Sequence, residues 1–154
     1  MTISESDLVR HVADDRRAGK KIAFANGAFD LLHVGHVRYL QAAGREADRL
    51  IVAVNSDASV RGLKGDGRPA MDEAARAELV SALRGVDYVV IFGDANVERL
   101  LRLLTPDVHC KGTDYTVDTV PERHVVAEYG GRIAIVGDPK DHSTRDLIAK
   151  IRQR

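Results

Sequence analysis

The sequence predicts a doubly wound α/β fold, in which helices cover both faces of a five-stranded parallel sheet. Over its 154 residues, short apolar runs typical of strands alternate with longer segments of helical periodicity. Repeated β-α units form parallel pairs joined by right-handed crossovers. We therefore expect a Rossmann-like sheet with strand order 3-2-1-4-5, preceded by an N-terminal helix. The predicted strands cover residues 21–25, 49–55, 87–92, 108–111 and 132–136.

A serine cap and a terminating glycine predict a helix over residues 4–20. Its apolar face, which contains Leu8 and Val12, is thin. We therefore expect residues 1–20 to form a helical appendage and residues 21–154 to form a single domain.

Alternating strands and helices follow in the rest of the chain. Residues 49–55 are apolar almost throughout, as expected for a strand buried on both faces of a parallel sheet. Amphipathic spacing predicts a helix over residues 72–83 and another over residues 96–104. Further helices are expected at residues 34–44 and 122–129 and from about residue 141. The side chains expected to be buried in the two amphipathic helices are Ala74, Ala75, Leu79, Val80 and Leu83, then Val97, Leu100, Leu101 and Leu104.

Composition excludes several classes of function. The 23 basic and 23 acidic residues give a formal charge of zero, which argues against nucleic acid or an anionic membrane as a partner. A single cysteine, Cys110, excludes an internal disulfide and fits a reducing cytosol; we expect it to be a small core residue. No apolar run approaches the ~18 residues of a membrane span. We expect a cytoplasmic protein that acts on small molecules.

The most informative stretch is residues 26–36, Asn-Gly-Ala-Phe-Asp-Leu-Leu-His-Val-Gly-His. It joins the first strand to a helix that begins near His33. A helix N-terminus offers unpaired N–H groups and the positive end of a dipole, and His33 and His36 add donors at the same place. Gly35 would let a phosphate approach the backbone. The stretch therefore predicts a phosphate-chain site at the carboxyl end of the first strand.

A zinc site is the alternative interpretation of two histidines at this spacing. It is poorly supported, because the other histidines are scattered and only one cysteine is present. We expect no metal held by protein ligands alone.

Two further segments are candidates for the same site. Residues 61–68 read as a glycine-rich basic loop, which could cradle phosphates or could be an ordinary solvated loop. Residues 111–115, Lys-Gly-Thr-Asp-Tyr, follow the fourth strand and so return to the rim where the first strand ends. Ser143 and Asp146 have capping-box spacing, which by itself indicates only a helix cap.

Taken together, these motifs resemble the cytidylyltransferase-like nucleotidyltransferases, whose signature is His-x-Gly-His. Within that superfamily the chain looks most like the adenylyltransferase domain of ADP-heptose synthases. The resemblance extends from Lys21 to Ile151. It is carried by residues 26–30, 33–36, 55–57, 63–66, 68–69, 76, 111–115 and 142–144.

The resemblance implies a set of functional residues. Catalytic roles would fall on His33, His36 and Lys64. Substrate-binding roles would fall on Asp30, Asn55, Lys64 and Asp66. The nucleotide would be bound by Asn26, Gly27, Ala28, Phe29, Asp30, His33, His36, Arg76, Lys111, Gly112, Asp114, Ser143 and Thr144.

The chain departs from the family pattern at three places. Thr113 stands where the heptose family has a second glycine, and a positive φ there would strain it. Arg145 replaces a threonine after Ser143 and Thr144. Residues 74–75 are Ala-Ala where the family has Glu-Gln before the arginine.

The activity implied is transfer of AMP from ATP to D-glycero-β-D-manno-heptose 1-phosphate, with Mg²⁺, to give ADP-heptose and pyrophosphate. The same resemblance allows a CTP-dependent cytidylyltransferase acting on glycerol 3-phosphate. A different class, a non-catalytic nucleotide sensor, is also possible on this fold, and a zinc-dependent hydrolase is disfavoured. Homodimers are common among relatives, and a separate sugar kinase is expected to supply the substrate.

Overall fold

A computed structural model describes residues 1–139 and 143–153. It confirms the predicted parallel sheet, with strands in the order β3-β2-β1-β4-β5. β1 pairs with β2 from Ile22 opposite Arg49 to Gly27 opposite Val54, so the long central pair ends at the rim where the His-x-Gly-His stretch begins. The strands are β1 Ile22–Gly27, β2 Arg49–Asn55, β3 Tyr88–Phe92, β4 Val108–Lys111 and β5 Arg132–Ile135.

The helices begin at residues that can satisfy their first N–H groups. Ser4 accepts from the Asp7 N–H, and Ser143 accepts from the Asp146 N–H, which confirms both predicted caps. A short 3₁₀ turn, Val117–Thr119, was not expected. The helices are α1 Glu5–Arg17, α2 Val34–Gly44, α3 Asp57–Lys64, α4 Glu73–Ser81, α5 Glu98–Leu104, α6 Arg123–Glu128 and α7 Thr144–Arg152.

The predicted loop at residues 61–68 was wrong in its first half, because α3 extends to Lys64. Ser56, which directly follows β2, accepts from the Ser59 N–H and starts this helix, while fully buried Val60 anchors it. The chain leaves the helix at Gly65, whose φ of +86° suits glycine. The loop proper is therefore short, and Lys64 lies at the end of a helix.

The buried face of α4 also differs from the prediction. Its buried residues are Arg76, Ala77 and Val80, whereas Leu79 is 44% exposed. Ala74 is exposed as well. The helix is rotated relative to the prediction because the Arg76 guanidinium is hydrogen-bonded inside the molecule, so that side of α4 faces inward.

Two hydrophobic clusters lie on opposite faces of the sheet, as a doubly wound fold requires. One joins α1, α5 and α6 to side chains such as Phe24, and the other joins α2 and α4 to side chains such as Val52. In α5 the four residues predicted to point inward are all buried. Cys110 is buried too, and burial raises the pKa of its thiol to about 12, which confirms a core role.

The N-terminal segment is packed into this structure. Leu8 and Val12 are buried in the first cluster, and the Ile3 N–H donates to the Val89 carbonyl at 2.9 Å. Thr2 forms a parallel bridge with Val89 of β3. Among the described residues, no helix combines the length and the apolar character that crossing a membrane requires.

We expect Leu8→Ala to lower the free energy of unfolding by about 2–4 kcal/mol, because a fully buried leucine would leave a cavity under α1. The matched control is Val9→Ala, at a neighbouring position that is 37% exposed and should change stability by less than about 0.5 kcal/mol. Urea denaturation measures both. Equal stability of the two variants would show that α1 contributes nothing to the core.

Candidate active site

A cavity of about 660 Å³ opens at the carboxyl ends of β1 and β4, where the strand order reverses. Its walls come from the loop after β1, the start of α2, the end of α3, the loop after β4, the loop after β5 and the start of α7. The lining residues that the sequence had nominated are Asn26, Gly27, Ala28, Phe29, Asp30, His33, His36, Lys64, Lys111, Gly112, Asp114, Ser143 and Thr144.

The loop between β1 and α2 contains two residues with an unusual backbone conformation. Phe29 and Leu31 have φ values of +51° and +53°, in the left-handed region that non-glycine residues rarely adopt. The Phe29 ring is buried and meets the His36 ring edge-on at 5.6 Å between centroids. A Cβ at residue 27 would lie only 3.1 Å from the Phe29 ring, so the absence of a side chain at Gly27 leaves room for this ring. Two strained residues held by packing are typical of a functional loop.

Asp30, between these two residues, fixes the loop. Its carboxylate is almost completely buried and accepts from Arg68 Nε at 3.0 Å, from the Ala70 N–H at 2.8 Å and from the Met71 N–H at 3.1 Å. Burial alone would raise the pKa of Asp30, but these three donors outweigh it and hold the pKa below its usual value. Asp30 is thus a charged anchor that joins the loop after β1 to residues 68–71.

The two histidines cap α2 reciprocally. The Gly35 N–H donates to His33 Nδ1 at 3.1 Å, and the His33 N–H donates to His36 Nδ1 at 3.2 Å. The rings stack at 3.9 Å between centroids. Because both Nδ1 atoms accept, the proton of each neutral ring lies on Nε2. Both imidazoles are therefore set as Nε2–H donors.

This capping corrects one expectation about the helix start. The N–H groups of His33 and Gly35 are bonded to imidazoles, and the His36 N–H donates to the His33 carbonyl. The anion-binding capacity of this place consequently rests more on the imidazole donors than on bare backbone N–H groups.

Lys111 enters the cavity wall from the end of β4. Its ammonium lies 3.3 Å from Glu122 Oε1 and 4.8 Å from the centre of the Tyr115 ring. Thr113, next in the loop, has no positive φ, so it fits without the strain that its replacement of glycine suggested. Its hydroxyl donates to the Asp138 carbonyl at 2.8 Å, which ties the loops after β4 and β5 together.

The start of α7 closes another side of the site. The Thr144 hydroxyl is buried and donates to the Asp30 carbonyl at 2.5 Å. This bond attaches α7 to the strained loop after β1. Asp141, where the last helix was expected to begin, and His142, which is among the residues that carry the resemblance, lie outside the described residues.

Three nominated residues do not line the cavity: Arg76, Asn55 and Asp66. Asn55 is buried and donates to Ser59 Oγ at 2.8 Å, so it supports the beginning of α3. Asp66 is exposed in the loop after α3.

Arg76 is fully buried beneath the site and not at its surface. Its guanidinium donates to the carbonyls of Ala28, Asn55 and Met71 at 2.6–2.9 Å and to Asp57 Oδ1 at 2.8 Å. The structure therefore does not bring Arg76 to a phosphate chain in the cavity. It holds together the segments that form the cavity floor.

Several lining residues were not nominated from the sequence. They include Arg38, Tyr39 and Asp138. Arg38 is ion-paired to Asp138 at 2.9 Å, and the Tyr39 hydroxyl donates to the Cys110 carbonyl at 2.8 Å. Arg38 and Tyr39 follow the second histidine by two and three residues. Tyr39 lies three residues after His36, a spacing that places two side chains on the same helix face, so it could have been found from the sequence.

The described residues contain no group of three or more histidine, cysteine, aspartate or glutamate side chains placed to hold a metal ion. The cavity carboxylates are Asp30, Asp114 and Asp138. Mg²⁺ is commonly held by one or two carboxylates together with substrate phosphates. Such a donor set fits an ion that arrives with a nucleotide better than a resident metal.

We expect Arg76→Met to lower the free energy of unfolding by about 3 kcal/mol or more, because Asp57 loses its partner and three buried or partly buried carbonyls lose a donor. Arg84→Met, at an exposed position just after the same helix, is the control and should be nearly neutral. Chemical denaturation provides the comparison. An unchanged stability with weakened nucleotide binding would instead return Arg76 to the phosphate site.

Comparison with known proteins agrees with this geometry. A family model described as cytidylyltransferase-like matches residues 24–149. The bifunctional protein HldE of Geobacter metallireducens is 51% identical over 137 residues, which cover 89% of this chain and 28% of that protein. HldE of Rhodopseudomonas palustris is 49% identical over 94% of this chain and 29% of its own length. The chain thus spans about three-tenths of the curated relatives it matches.

Solved structures share the fold. A lipopolysaccharide core biosynthesis protein from Thermoplasma volcanium superposes with a TM-score of 0.68 at 27% identity, covering 79% of this chain and all of that one. Pantothenate synthetase from Thermus thermophilus gives a TM-score of 0.63 at 19% identity, over 95% of this chain and 66% of that chain, which shows a common fold alone. The family match includes the histidine-capped start of α2 and nearly every wall of the cavity. The chain belongs to the cytidylyltransferase-like family of nucleotidyltransferases.

Proposed function

We propose that the chain is an adenylyltransferase that joins ATP to a sugar 1-phosphate, D-glycero-β-D-manno-heptose 1-phosphate, and releases pyrophosphate. The observation that carries the proposal is the pair of stacked imidazoles at the start of α2, both set as Nε2–H donors beside a cavity that Lys64, Arg68 and Lys111 also line. The similarity to HldE proteins supports the heptose substrate.

The chemistry is a displacement at the α-phosphorus of the nucleotide. A phosphate oxygen of the sugar 1-phosphate forms the new P–O bond while the bond to the β-phosphate breaks, and pyrophosphate leaves with the bonding electrons. Negative charge spreads over the transferring group, so catalysis is mainly positioning and charge stabilisation. The acceptor oxygen carries no proton at neutral pH, so no general base is required.

The residues of the cavity have separate tasks in this scheme. His33 and His36 donate Nε2–H to the α-phosphate and the bridging oxygen as charge grows there. Lys64, at the end of α3, attracts the outer phosphates. Asp30 keeps the loop in place, because its carboxylate is committed to three donors. Asp114 would hold Mg²⁺ together with oxygens of the nucleotide phosphates, and the ion would supply further charge neutralisation.

A CTP-dependent transferase acting on a polyol phosphate is the second candidate, and the family description favours it. The two candidates share the histidines and differ in the groups that contact the base and the acceptor. A nucleotide sensor is the non-catalytic alternative. We further propose a homodimer in the cytoplasm, with a sugar kinase supplying the 1-phosphate.

Pyrophosphate release is the deciding experiment. The protein is incubated with Mg²⁺ and each of ATP, CTP, GTP and UTP against heptose 1-phosphate and glycerol 3-phosphate. Release with ATP and heptose 1-phosphate alone supports the proposal. Release with CTP and glycerol 3-phosphate keeps the mechanism and replaces the substrates, and nucleotide binding without release from any pair favours the sensor.

We expect His36→Ala to lower kcat by about 10²–10³-fold, because one preorganised donor to the transition state is lost. The fold should persist, since the variant loses one capping bond, to the His33 N–H. His124→Ala, at an exposed position of α6, is the control and should retain full activity. Steady-state pyrophosphate release measures both variants. Turnover by His36→Ala within a few-fold of the parent protein would contradict the assignment.

A further inference from the structure

Behind the cavity wall lies a buried group of ionisable side chains that the proposed chemistry does not use. His109, on β4, is fully buried, and its Nε2 lies 2.6 Å from Glu122 Oε1. The same oxygen is 3.3 Å from the Lys111 ammonium. Glu122 is therefore shared between a core histidine and a lysine that lines the cavity.

The charges in this group are well defined. Burial would raise the pKa of Glu122, but the hydrogen bond to His109 and the charge of Lys111 lower it to about 2. Burial lowers the pKa of His109, so its ring is neutral at pH 7 and donates Nε2–H to the carboxylate. His109 Nδ1 is buried and has no hydrogen-bond partner in the described part of the chain. The result is one carboxylate and one ammonium, with a neutral imidazole as a fixed donor.

The usual structural role of a residue at this position, capping the helix that follows, does not apply to Glu122. It is the residue before α6, yet its side chain makes no capping bond to that helix. Its carboxylate points instead to the inside, where it is only 6% exposed. A glutamate in this place without a partner would be costly, so its partners define its role.

We propose that Glu122 is a positioning residue, held by His109, that fixes the Lys111 ammonium in the cavity wall for nucleotide binding. The inference rests on the proposed function to the extent that the cavity binds a nucleotide. Glu122 acts on nucleotide binding through Lys111, without touching the nucleotide itself.

The physical reason is the position of Lys111. Its side chain is only 12% exposed, with Glu122 on one side and the Tyr115 ring on the other. Ordering a flexible lysine side chain costs rotamer entropy, and this arrangement orders Lys111 before a ligand arrives. Without the carboxylate, an unpaired ammonium here turns toward water, because a partly buried lone charge is unfavourable. The donor then leaves the position at which it meets the nucleotide.

Nucleotide dissociation constants, measured by titration calorimetry with ATP and CTP in the presence of Mg²⁺, test the proposal. We expect Glu122→Gln to raise Kd about tenfold for the nucleotide that the parent protein prefers. Lys111→Met should raise Kd by a similar factor. The double variant should bind no more than about twofold more weakly than either single variant, because both remove the same interaction.

The control is Glu128→Gln, at the end of α6, which is exposed and paired to Arg102 and should leave Kd unchanged. In turnover, Glu122→Gln should raise KM for the nucleotide with kcat within about twofold, a separation that general loss of stability would not produce. If Glu122→Gln does not fold, Glu122→Asp replaces it. That variant keeps the charge but cannot reach both partners, so its rise in Kd should vanish in the Lys111→Met background.

Additive effects in the double variant, or a Kd that is unchanged or lower in Glu122→Gln, would overturn the positioning role. Nucleotide binding without pyrophosphate release would refute the proposed reaction while the binding cycle still decides the role of Glu122. Absence of binding for every nucleotide in the parent protein would refute both.

Discussion

The structure around the cavity depends on one fully buried cation. Arg76 lies under the site and donates to carbonyls at the end of β2, in the loop after β1 and before α4, and to Asp57 at the start of α3. A buried guanidinium is stable only when its donors are satisfied, so these segments must converge at one point. Above Arg76, Asp30 joins further segments. Its carboxylate accepts from Arg68, Ala70 and Met71, and its carbonyl accepts from the Thr144 hydroxyl. Helix α7 is thereby joined to the floor of the site.

Basic side chains in the cavity walls are paired with acidic side chains. Arg68 is paired to the buried Asp30, Lys111 to the buried Glu122, and Arg38 to Asp138. Several basic groups of the cavity therefore carry their own counter-charge before any ligand binds. Such paired cations select a ligand by the direction of their N–H donors more than by total charge. This agrees with a chain whose formal net charge is zero.

The positions of the strands could be predicted from the sequence, because apolar runs and turn residues are local signals, and repeated β-α units then imply a parallel sheet that binds ligands at the carboxyl ends of its strands. The role of Arg76 could not, since two of its acceptors are the backbone carbonyls of Ala28 and Asn55, which are 48 and 21 residues away in the chain. The extent of α3 was missed because glycines concealed a helix that Ser56 starts. Phe29 and Leu31 gave no sign of their left-handed backbone, which tertiary packing imposes. The pairing of His109 with Glu122 likewise joins residues 13 positions apart and has no periodic signature.

The pairing of residues 1–3 with Val89 limits how two molecules can associate through the edges of their sheets. β3 is an outer strand of the sheet, and an outer strand has unpaired N–H and C=O groups that can recruit a strand from another molecule. Here the Val89 N–H donates to the Met1 carbonyl, and the Val89 carbonyl accepts from the Ile3 N–H. The first three residues thus occupy part of that template. The short segment before α1 therefore blocks part of this edge from pairing with a strand of another molecule, independently of any reaction at the carboxyl ends of the strands.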